Sequence, residues 1–274
     1  MTLAYFLLVF AFAWSAWGAA AVVLHGAASP APLTTAVAQV LLLLGTFAPS
    51  IVATFLTWRA EGRAGVAALF RRIGQPPAAA GWFVFAALYV ITIKLATAGL
   101  HRVTMGTWPV FGDTPVVLLF FATAISTPVQ AGEELGWRGF ALPRLSAQLG
   151  LGFASVVLGV IWACWHLPLF LFPAADTYGQ SFPLYLVQVV AMSVTMAWLY
   201  WRVRGNLLPV MLLHAAANNT KDIVPAVVAG ASNIWALSPS RVGWIGAGLL
   251  SAGAVVFLFQ MRRARLSDGS TAPR

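Results

Sequence analysis

Long apolar runs separated by short polar segments dominate the hydropathy pattern of the chain. A membrane-spanning helix needs about 20 mostly apolar residues, and eight runs reach or approach that length. The predicted helices are Leu3–Leu24, Leu33–Trp58, Ala79–Leu100, a fourth that begins near Pro115, Leu151–Phe172, Leu184–Trp201, Leu207–Ala229 and Val242–Met261. The pattern therefore predicts an all-α, polytopic membrane helix bundle of about eight transmembrane helices, in a single transmembrane domain over residues 1–261.

Three features of the polar segments and breaks add to this picture. Pro49 lies inside the second apolar run, where proline predicts a kink. Residues 59–75 place arginines among Ala-rich apolar positions, which predicts a short amphipathic helix on the membrane surface. Residues 262–274 are polar, and we expect them to form a disordered cytoplasmic tail.

Composition excludes a soluble protein. Of the 274 residues, 60% are hydrophobic and 8% are charged, whereas a typical soluble domain is about 25% charged. The net charge of +9 does not indicate nucleic acid, because the basic residues lie in short loops between apolar runs. The single cysteine, Cys164, excludes an internal disulfide and lies in an apolar run, as a small core residue does.

The distribution of basic residues predicts the orientation. If the loop after the second helix is cytoplasmic, twelve basic residues lie on that side and only Arg102, Lys221 and Arg241 lie on the other, with Lys94 inside the third helix. Cytoplasmic loops carry this excess in membrane proteins. We therefore expect a multi-pass cell-membrane protein with both termini cytoplasmic, and the arginine-rich short loops fit a bacterial plasma membrane.

The candidate chemistry starts in the stretch Gln130–Phe140, which holds Glu133 and Glu134 side by side in a chain with seven acidic residues. An ionisable residue at membrane depth is costly and marks a partner, a cavity or a reaction site. On a helix Glu134 and Arg138 can pair, while Glu133, about 100° around the helix, is left to act as a base. The alternative is a solvated helix end, but the apolar run resumes and stops only at Pro143–Arg144.

Two later helices carry further polar groups. His166 lies deep in the fifth predicted helix, four residues after Trp162. His214 and Asn218 share one face of the seventh predicted helix, with three alanines between them. Taken alone, His166 is also consistent with a core histidine that only makes a structural hydrogen bond. Likewise, His214 and Asn218 could form a polar clamp that joins two helices by hydrogen bonds.

The combination is more specific than its parts, because Glu133, His166 and His214 all lie about 10–20 Å from the predicted cytoplasmic helix ends. One carboxylate and two imidazoles can hold a catalytic zinc with an open water position. Without a metal, Glu133 and His166 could deprotonate a water while His214 and Asn218 donate hydrogen bonds to an oxyanion. Both alternatives predict peptide hydrolysis, and the sequence does not decide whether the site binds zinc. No His-Glu-x-x-His motif is present.

The motifs Glu133-Glu134-x-x-x-Arg138, Trp162-x-x-x-His166 and His214-x-x-x-Asn218 resemble those of the CPBP (Abi) family of intramembrane proteases. That family includes the type II CAAX prenyl endopeptidases and the bacteriocin self-immunity proteins, and the resemblance covers about residues 116–229. It implies an eight-helix bundle with a site open to the cytoplasm.

The resemblance also implies roles for individual residues. Glu133 would be the base that activates water, Glu134 would pair with Arg138, and His166, His214 and Asn218 would complete the site. The family usually has phenylalanine at the position of Trp162. An aromatic ring is kept there, so we expect an altered pocket volume and retained activity.

Three functions follow from these observations. The leading one is a membrane-embedded endopeptidase whose partners are the lipid bilayer and membrane-anchored peptides or proteins; the resemblance adds prenylated CAAX-type substrates. The alternative is a non-catalytic immunity or binding protein in which the polar groups only clamp helices. The third is a transporter with a Glu/His proton relay. This hypothesis has less support, because the polar groups cluster at one predicted depth and do not continue towards the outer face. No nucleic-acid partner is expected.

Overall fold

The computed structural model describes residues 1–25, 31–172, 175, 177–225, 241–262 and 264. The α-helices of this part of the chain are α1 (Thr2–Leu24), α2 (Pro32–Arg71), α3 (Ala80–Met105), α4 (Val116–Ser126), α5 (Ala131–Glu134), α6 (Leu142–Leu149), α7 (Leu151–Trp165), α8 (Phe182–Arg202), α9 (Leu208–Asn219) and α10 (Arg241–Met261). Shorter 3-10 turns cover Pro128–Gln130, Leu167–Leu171 and Lys221–Ile223, and a π-helix covers Leu135–Ala141. The predicted disordered tail lies almost wholly outside the described residues.

The protein is a polytopic helical membrane bundle, as predicted. Within the described residues, six helical segments are long and apolar enough to span a membrane: α1, α2, α3, Leu151–Leu171, α8 and α10. The bent pair of α4 and Pro128–Leu149 makes a seventh if it is counted as one span. The described residues thus hold six or seven of the roughly eight predicted spans. The segment α9, which begins the seventh predicted helix, has only 12 described helical residues and is not among them.

Two polar side chains bond back to the helix backbone at the end of α9. Asn219 Nδ2 donates to the carbonyl of Ala215 at 2.8 Å, and Thr220 Oγ1 donates to that of Ala216 at 2.6 Å. Such side chains compete with the backbone for its hydrogen bonds and disfavour a continuing helix. The last residues of the predicted helix, 226–229, lie outside the described residues.

The fourth predicted helix is not continuous either. It bends by 42° between α4 and the segment that starts at Pro128. Proline lacks an N–H group and its ring crowds the carbonyl four residues earlier, which kinks a helix at Pro128 even though Thr127 keeps α-helical φ and ψ angles. Beyond the bend the helical path runs through the π-helix and on to Leu149, past Pro143, where sequence predicted a stop. Pro143 is tolerated because it lies in the first turn of α6.

The second helix also extends further than predicted. It continues through Pro49 and is broken at Gly62, whose φ of 65° and ψ of −160° are not helical. Residues 63–71 form a second limb that buries Gly65 and Leu69. This limb is helical within residues 59–75, as predicted, and its location on the membrane surface stays a prediction. Because its end approaches the loop before α9, Leu207 N–H donates to the carbonyl of Arg72 at 2.6 Å.

The core lies where these helices converge on the π-helix. α1 packs along α2, α7 packs against α8, α10 packs against α8 and α3, and α9 packs against α3 and α4. The α2 helix also contacts α5 and the π-helix. Fully buried side chains in the core include Trp137, Phe140, Leu158, Met196 and Leu199. The Glu133–Arg138 stretch is therefore enclosed by the bundle.

Candidate active site

The glutamate-bearing segment is attached to α2 by close backbone packing. A Cβ atom on Gly136 would overlap the backbone of Pro49, so only glycine allows this approach. Ser50 bridges the two elements: its Oγ donates to the carbonyl of Ala131 at 2.7 Å and accepts from Gly136 N–H at 3.2 Å. Sequence reasoning missed Ser50, although a serine directly after proline in an apolar run was an available signal.

The π-helix itself follows the two glutamates directly. A π-turn accommodates one extra residue, and such turns occur frequently at functional sites. One of its carbonyl groups, that of Gly139, accepts a hydrogen bond from Arg72 Nη1 at 2.9 Å, and Arg72 Nη1 also donates to Tyr200 Oη at 3.0 Å. Arg72 thereby links the widened turn to the end of α2 and to α8.

Glu134, Arg138 and His214 form one buried cluster. Arg138 Nη1 lies 2.8 Å from Glu134 Oε1 and 3.1 Å from Oε2, and both side chains are 0% exposed. His214 Nδ1 lies 2.8 Å from the same Oε1 atom. Sequence predicted the pairing of Glu134 with Arg138 but placed His214 with Glu133. Glu134 connects the π-helix segment to α9.

This contact defines the hydrogen-bonding role of each His214 nitrogen. Both oxygens of Glu134 accept from Arg138, and a carboxylate paired in this way only accepts hydrogen bonds. Nδ1 of His214 therefore carries the proton and donates it to Glu134. The Nε2 atom offers a lone pair when the ring is neutral and an N–H when the ring is protonated.

Glu133 has a different environment from Glu134. Its Oε2 accepts from Trp162 Nε1 at 2.8 Å and from Trp137 Nε1 at 3.3 Å. Among the described residues we find no hydrogen-bond partner for Oε1, and the residue keeps 6% of its surface exposed. One oxygen of Glu133 is thus held by two indoles, and the other is available to a water or a substrate.

His166 lies at the end of α7, and the predicted straight helix to Phe172 is replaced there by a 3-10 turn around Pro168. Its Nδ1 is 2.9 Å from the carbonyl oxygen of Trp162. A carbonyl oxygen cannot donate, so Nδ1 carries the proton, and Nε2 of the neutral ring is an acceptor for which the described residues provide no hydrogen-bond partner. The ring packs against Tyr185, with ring centroids 5.6 Å apart.

Asn218 is not part of this connected group. Its side chain is exposed, one turn beyond His214 on α9, and we find no hydrogen bond from it to another described residue. The neighbouring Asn219 donates to Ser126 Oγ at 2.7 Å and so links α9 to α4. The predicted role of Asn218 as an oxyanion donor stays a prediction.

The fit of a zinc ion depends on the spacing of the three predicted ligands. Both histidines direct a protonated Nδ1 to an oxygen acceptor, which is how metal-binding imidazoles are usually oriented. Among the residues that the structure describes, however, no group of three His, Cys, Asp or Glu side chains is arranged to hold a metal ion. Glu133, His166 and His214 are therefore not a ligand cluster in this arrangement, and zinc stays a prediction.

The part of the chain that contains these residues is similar to known proteins. Residues 113–220 match the family described as type II CAAX prenyl endopeptidase Rce1-like. A stretch of 101 residues is 27% identical to CAAX prenyl protease 2 of Methanococcus maripaludis, and it covers 34% of this chain and 36% of the relative. The match thus spans about a third of the relative's length. All three motifs lie between residues 113 and 220, and the resemblance inferred from them is confirmed.

Proposed function

We propose that this chain, which is similar to the type II CAAX prenyl endopeptidases over residues 113–220, is an intramembrane endopeptidase. The observation that carries the proposal is the contrast between two adjacent buried carboxylates. Glu134 is neutralised by Arg138 and held by His214. Glu133 has no ion pair with a described residue and keeps one oxygen free of hydrogen bonds. One carboxylate is then structural, and the other is suited to general-base catalysis.

In the proposed reaction, Oε1 of Glu133 takes a proton from a water molecule, and the water oxygen attacks the scissile carbonyl carbon. Negative charge develops on the former carbonyl oxygen, where hydrogen-bond donors lower the barrier. Nε2–H of a protonated His214 can serve as such a donor, with Nδ1–H held by Glu134. Glu133 then passes its proton to the amide nitrogen, the C–N bond breaks, and an acid and an amine are released.

His166 supports the same step from α7. Its Nε2 lone pair, left free because Nδ1 donates to the Trp162 carbonyl, can accept a hydrogen bond from the attacking water. Two acceptors, an imidazole nitrogen and a carboxylate oxygen, would then orient the water for attack. This division of roles requires no metal, and a chelator distinguishes it from a zinc-dependent alternative.

The substrate class that we propose is a membrane-associated peptide, with prenylated CAAX-type sequences as the first candidates. Support comes from the family match and from the relative in Methanococcus maripaludis, which is named CAAX prenyl protease 2. Burial of the site among helices also favours a substrate that is already held at the membrane, because a membrane anchor concentrates a peptide near an enclosed site. The bilayer itself is therefore part of the proposed reaction environment.

We also propose that the site opens to the cytoplasm and that both termini lie there. The backbone contact between Arg72 and Leu207 brings the loops after α2 and α8 together. Arginines are frequent at both of these helix ends, with Arg71 and Arg72 at the end of α2 and Arg202 and Arg204 at the end of α8. Basic loops on one side of the membrane are expected to be cytoplasmic.

The experiment that tests the proposed function is peptide cleavage by the purified protein in nanodiscs. The panel contains farnesylated and geranylgeranylated CAAX peptides, the same peptides without the prenyl group, and transmembrane-anchored peptides without CAAX. Glu133→Gln is the test variant. Glu61→Gln is the matched control, because the Glu61 side chain is 53% exposed and its ion pair with Arg144 is long, at 3.6 Å. Each reaction is run with and without a zinc chelator.

We expect wild type and Glu61→Gln to cleave a prenylated peptide and Glu133→Gln to be inactive. Cleavage that survives Glu133→Gln would contradict the assignment of the base. Chelator-sensitive cleavage would establish the zinc alternative. If no peptide is cleaved, and wild type and Glu133→Gln instead retain a bound peptide equally well, the binding or immunity function is favoured.

A further inference from the structure

The side chain of Trp162 contacts three of the charged or titratable residues of the site. Its Nε1–H donates to Glu133 Oε2 at 2.8 Å. The Arg138 guanidinium carbon lies 4.4 Å from the centre of its ring. The His214 ring packs edge-on against it, with centroids 5.3 Å apart and planes at 83°. Its backbone carbonyl holds the fourth residue, His166, at 2.9 Å.

The hydrogen bond to Glu133 has a defined direction and little competition from solvent. An indole nitrogen donates and does not accept, so Glu133 Oε2 is the acceptor. Trp162 is 5% exposed and Glu133 is 6% exposed. In such an environment a bond to a charged acceptor is stronger than a neutral one. The second donor, Trp137 Nε1, is longer at 3.3 Å, so Trp162 provides the better-formed bond.

The face of the same ring covers a guanidinium that has few other partners. Only Nη1 of Arg138 donates to Glu134, and within the described residues its buried Nε and Nη2 atoms have no hydrogen-bond partner. A cation over an indole face is attracted by the ring quadrupole. Trp162 therefore contacts the base through its N–H group and the ion pair through its π face.

We propose that Trp162 is a positioning residue that ties Oε2 of Glu133 and so leaves Oε1 as the single oxygen presented to the attacking water. The inference rests on the proposed function, because it assigns Glu133 as the base. Trp162 itself needs no contact with the substrate for this role. A phenylalanine at this position keeps an aromatic ring beside Arg138 and His214 but has no N–H group, so the orientation of Glu133 is the property that changes.

The test compares Trp162→Phe with Trp165→Phe. Trp165 lies one turn further along α7, is 0% exposed, and its Nε1 has no hydrogen-bond partner among the described residues. The two substitutions remove the same atoms, but only one removes a hydrogen bond. Replacing each tryptophan by benzothienylalanine, which has sulfur in place of N–H, repeats the comparison at nearly constant ring size and covers the case in which phenylalanine impairs folding.

We expect loss of the N–H at position 162 to lower kcat about ten-fold or more, with KM changed by less than about three-fold, since a hydrogen bond to a charged group corresponds to that range. The same replacement at position 165 should leave kcat near the wild-type value. Equal kcat values for benzothienylalanine at the two positions would overturn the proposal, and so would a change in KM alone.

A double-mutant cycle on melting temperature separates this inference from the proposed function. The cycle combines Trp162→Phe with Glu133→Ala, and the two effects should be clearly non-additive because the residues are in contact. Additive effects would overturn the Trp162–Glu133 contact whatever the activity. A wild-type protein that cleaves nothing but shows a non-additive cycle would refute the endopeptidase proposal and support the contact.

Discussion

His214 and Arg138 donate hydrogen bonds to the same oxygen atom, Oε1 of Glu134, each at 2.8 Å. The two residues lie on different elements, α9 and the π-helix, and Glu134 and His214 are 80 positions apart in the chain. One buried carboxylate therefore orients an imidazole and neutralises a guanidinium at the same time. Glu134 is a structural link between two elements of the site, and it also determines which nitrogen of His214 is free for chemistry.

The first prediction separates these two contributions of His214. His214→Asn keeps a short N–H donor close to the position of Nδ1 and can maintain the bond to Glu134, but it has no counterpart of Nε2. We expect its melting temperature to stay near the wild-type value while cleavage falls about 100-fold or more, as for loss of a proton-transfer or oxyanion group. Melting curves and cleavage rates on the same preparation measure both.

His214→Ala is the matched control for that variant. It removes both the bond to Glu134 and the Nε2 atom, so it should lose stability as well as activity. Equal melting temperatures for the alanine and asparagine variants would show that the Glu134 contact does not stabilise the fold. Appreciable activity of the asparagine variant would argue against any role of Nε2.

The second prediction concerns the ion pair. Arg138→Ala leaves the fully buried Glu134 without its cation, a change that costs about 3–5 kcal/mol when such a pair is broken. Asn218→Ala alters an exposed side chain and should cost little. Folded yield in the membrane and melting temperature should both be lower for Arg138→Ala. Equal values for the two variants would contradict the stabilising role of the pair.

The third prediction uses the contact between the site segment and α2. A methyl group on Gly136 would overlap Pro49, and overpacking of this kind costs about 1–3 kcal/mol. Gly136→Ala should therefore lower the melting temperature and, by displacing the adjacent glutamates, the cleavage rate. Gly99→Ala, inside α3 with nothing within 4 Å of the new Cβ atom, should be neutral or slightly stabilising. A fully active, stable Gly136→Ala variant would show that α2 shifts easily.

The fourth prediction is a pH dependence outside the membrane-spanning segments. Asp222 Oδ2 accepts from Thr114 N–H at 3.0 Å, which joins the loop before α4 to the turn after α9. Hydrogen bonds from the side chain and backbone of Thr114 hold the pKa of Asp222 below its ordinary value of 3.8. A depressed pKa means that the stabilisation is fully present above the unfolded pKa and is lost as the pH falls through the folded pKa.

Asp222→Asn removes the charge and should abolish this dependence. Wild type should melt at a higher temperature than Asp222→Asn at about pH 6, and the difference should shrink at pH values below the ordinary value of 3.8. Melting curves of both proteins across that range measure it. A difference that stays constant, or grows towards acid, would contradict the role of the Thr114–Asp222 bond.

Much of the fold was predictable because a membrane imposes local rules. About 20 apolar residues make a span, and most long helices of the described chain fall within a few residues of the predicted bounds. One error is the second helix, which continues past its predicted end at Trp58 to Arg71. Other errors lie at prolines and at polar side chains near helix ends. Thr127–Pro128 bends the fourth helix, Pro168 ends the fifth early, and Asn219 and Thr220 accompany the end of α9. Hydropathy does not register these features.

The contacts of the candidate site were also only partly predictable from the sequence. Spacing alone predicted that Glu134 and Arg138 can meet, because residues four apart on a helix are neighbours. It did not predict the bond from Ser50 to Ala131, the indole bond from Trp162 to Glu133, or the bond between His214 and Glu134. Those three contacts join positions 29 to 81 residues apart. Periodicity carries no information about which distant side chains will face each other.

The sequence by itself determined that this protein is a helical membrane bundle with three polar motifs in or beside its apolar helices, because hydropathy and helical spacing are properties of neighbouring residues. Only the tertiary structure decided how the two adjacent glutamates differ. Glu134 contacts a cation and an imidazole, whereas Glu133 accepts from two indole N–H groups through one oxygen and, among the described residues, has no hydrogen-bond partner for the other. The physical reason is that a buried carboxylate takes its properties from the groups packed around it, and here those groups come from α7, α9 and the π-helix.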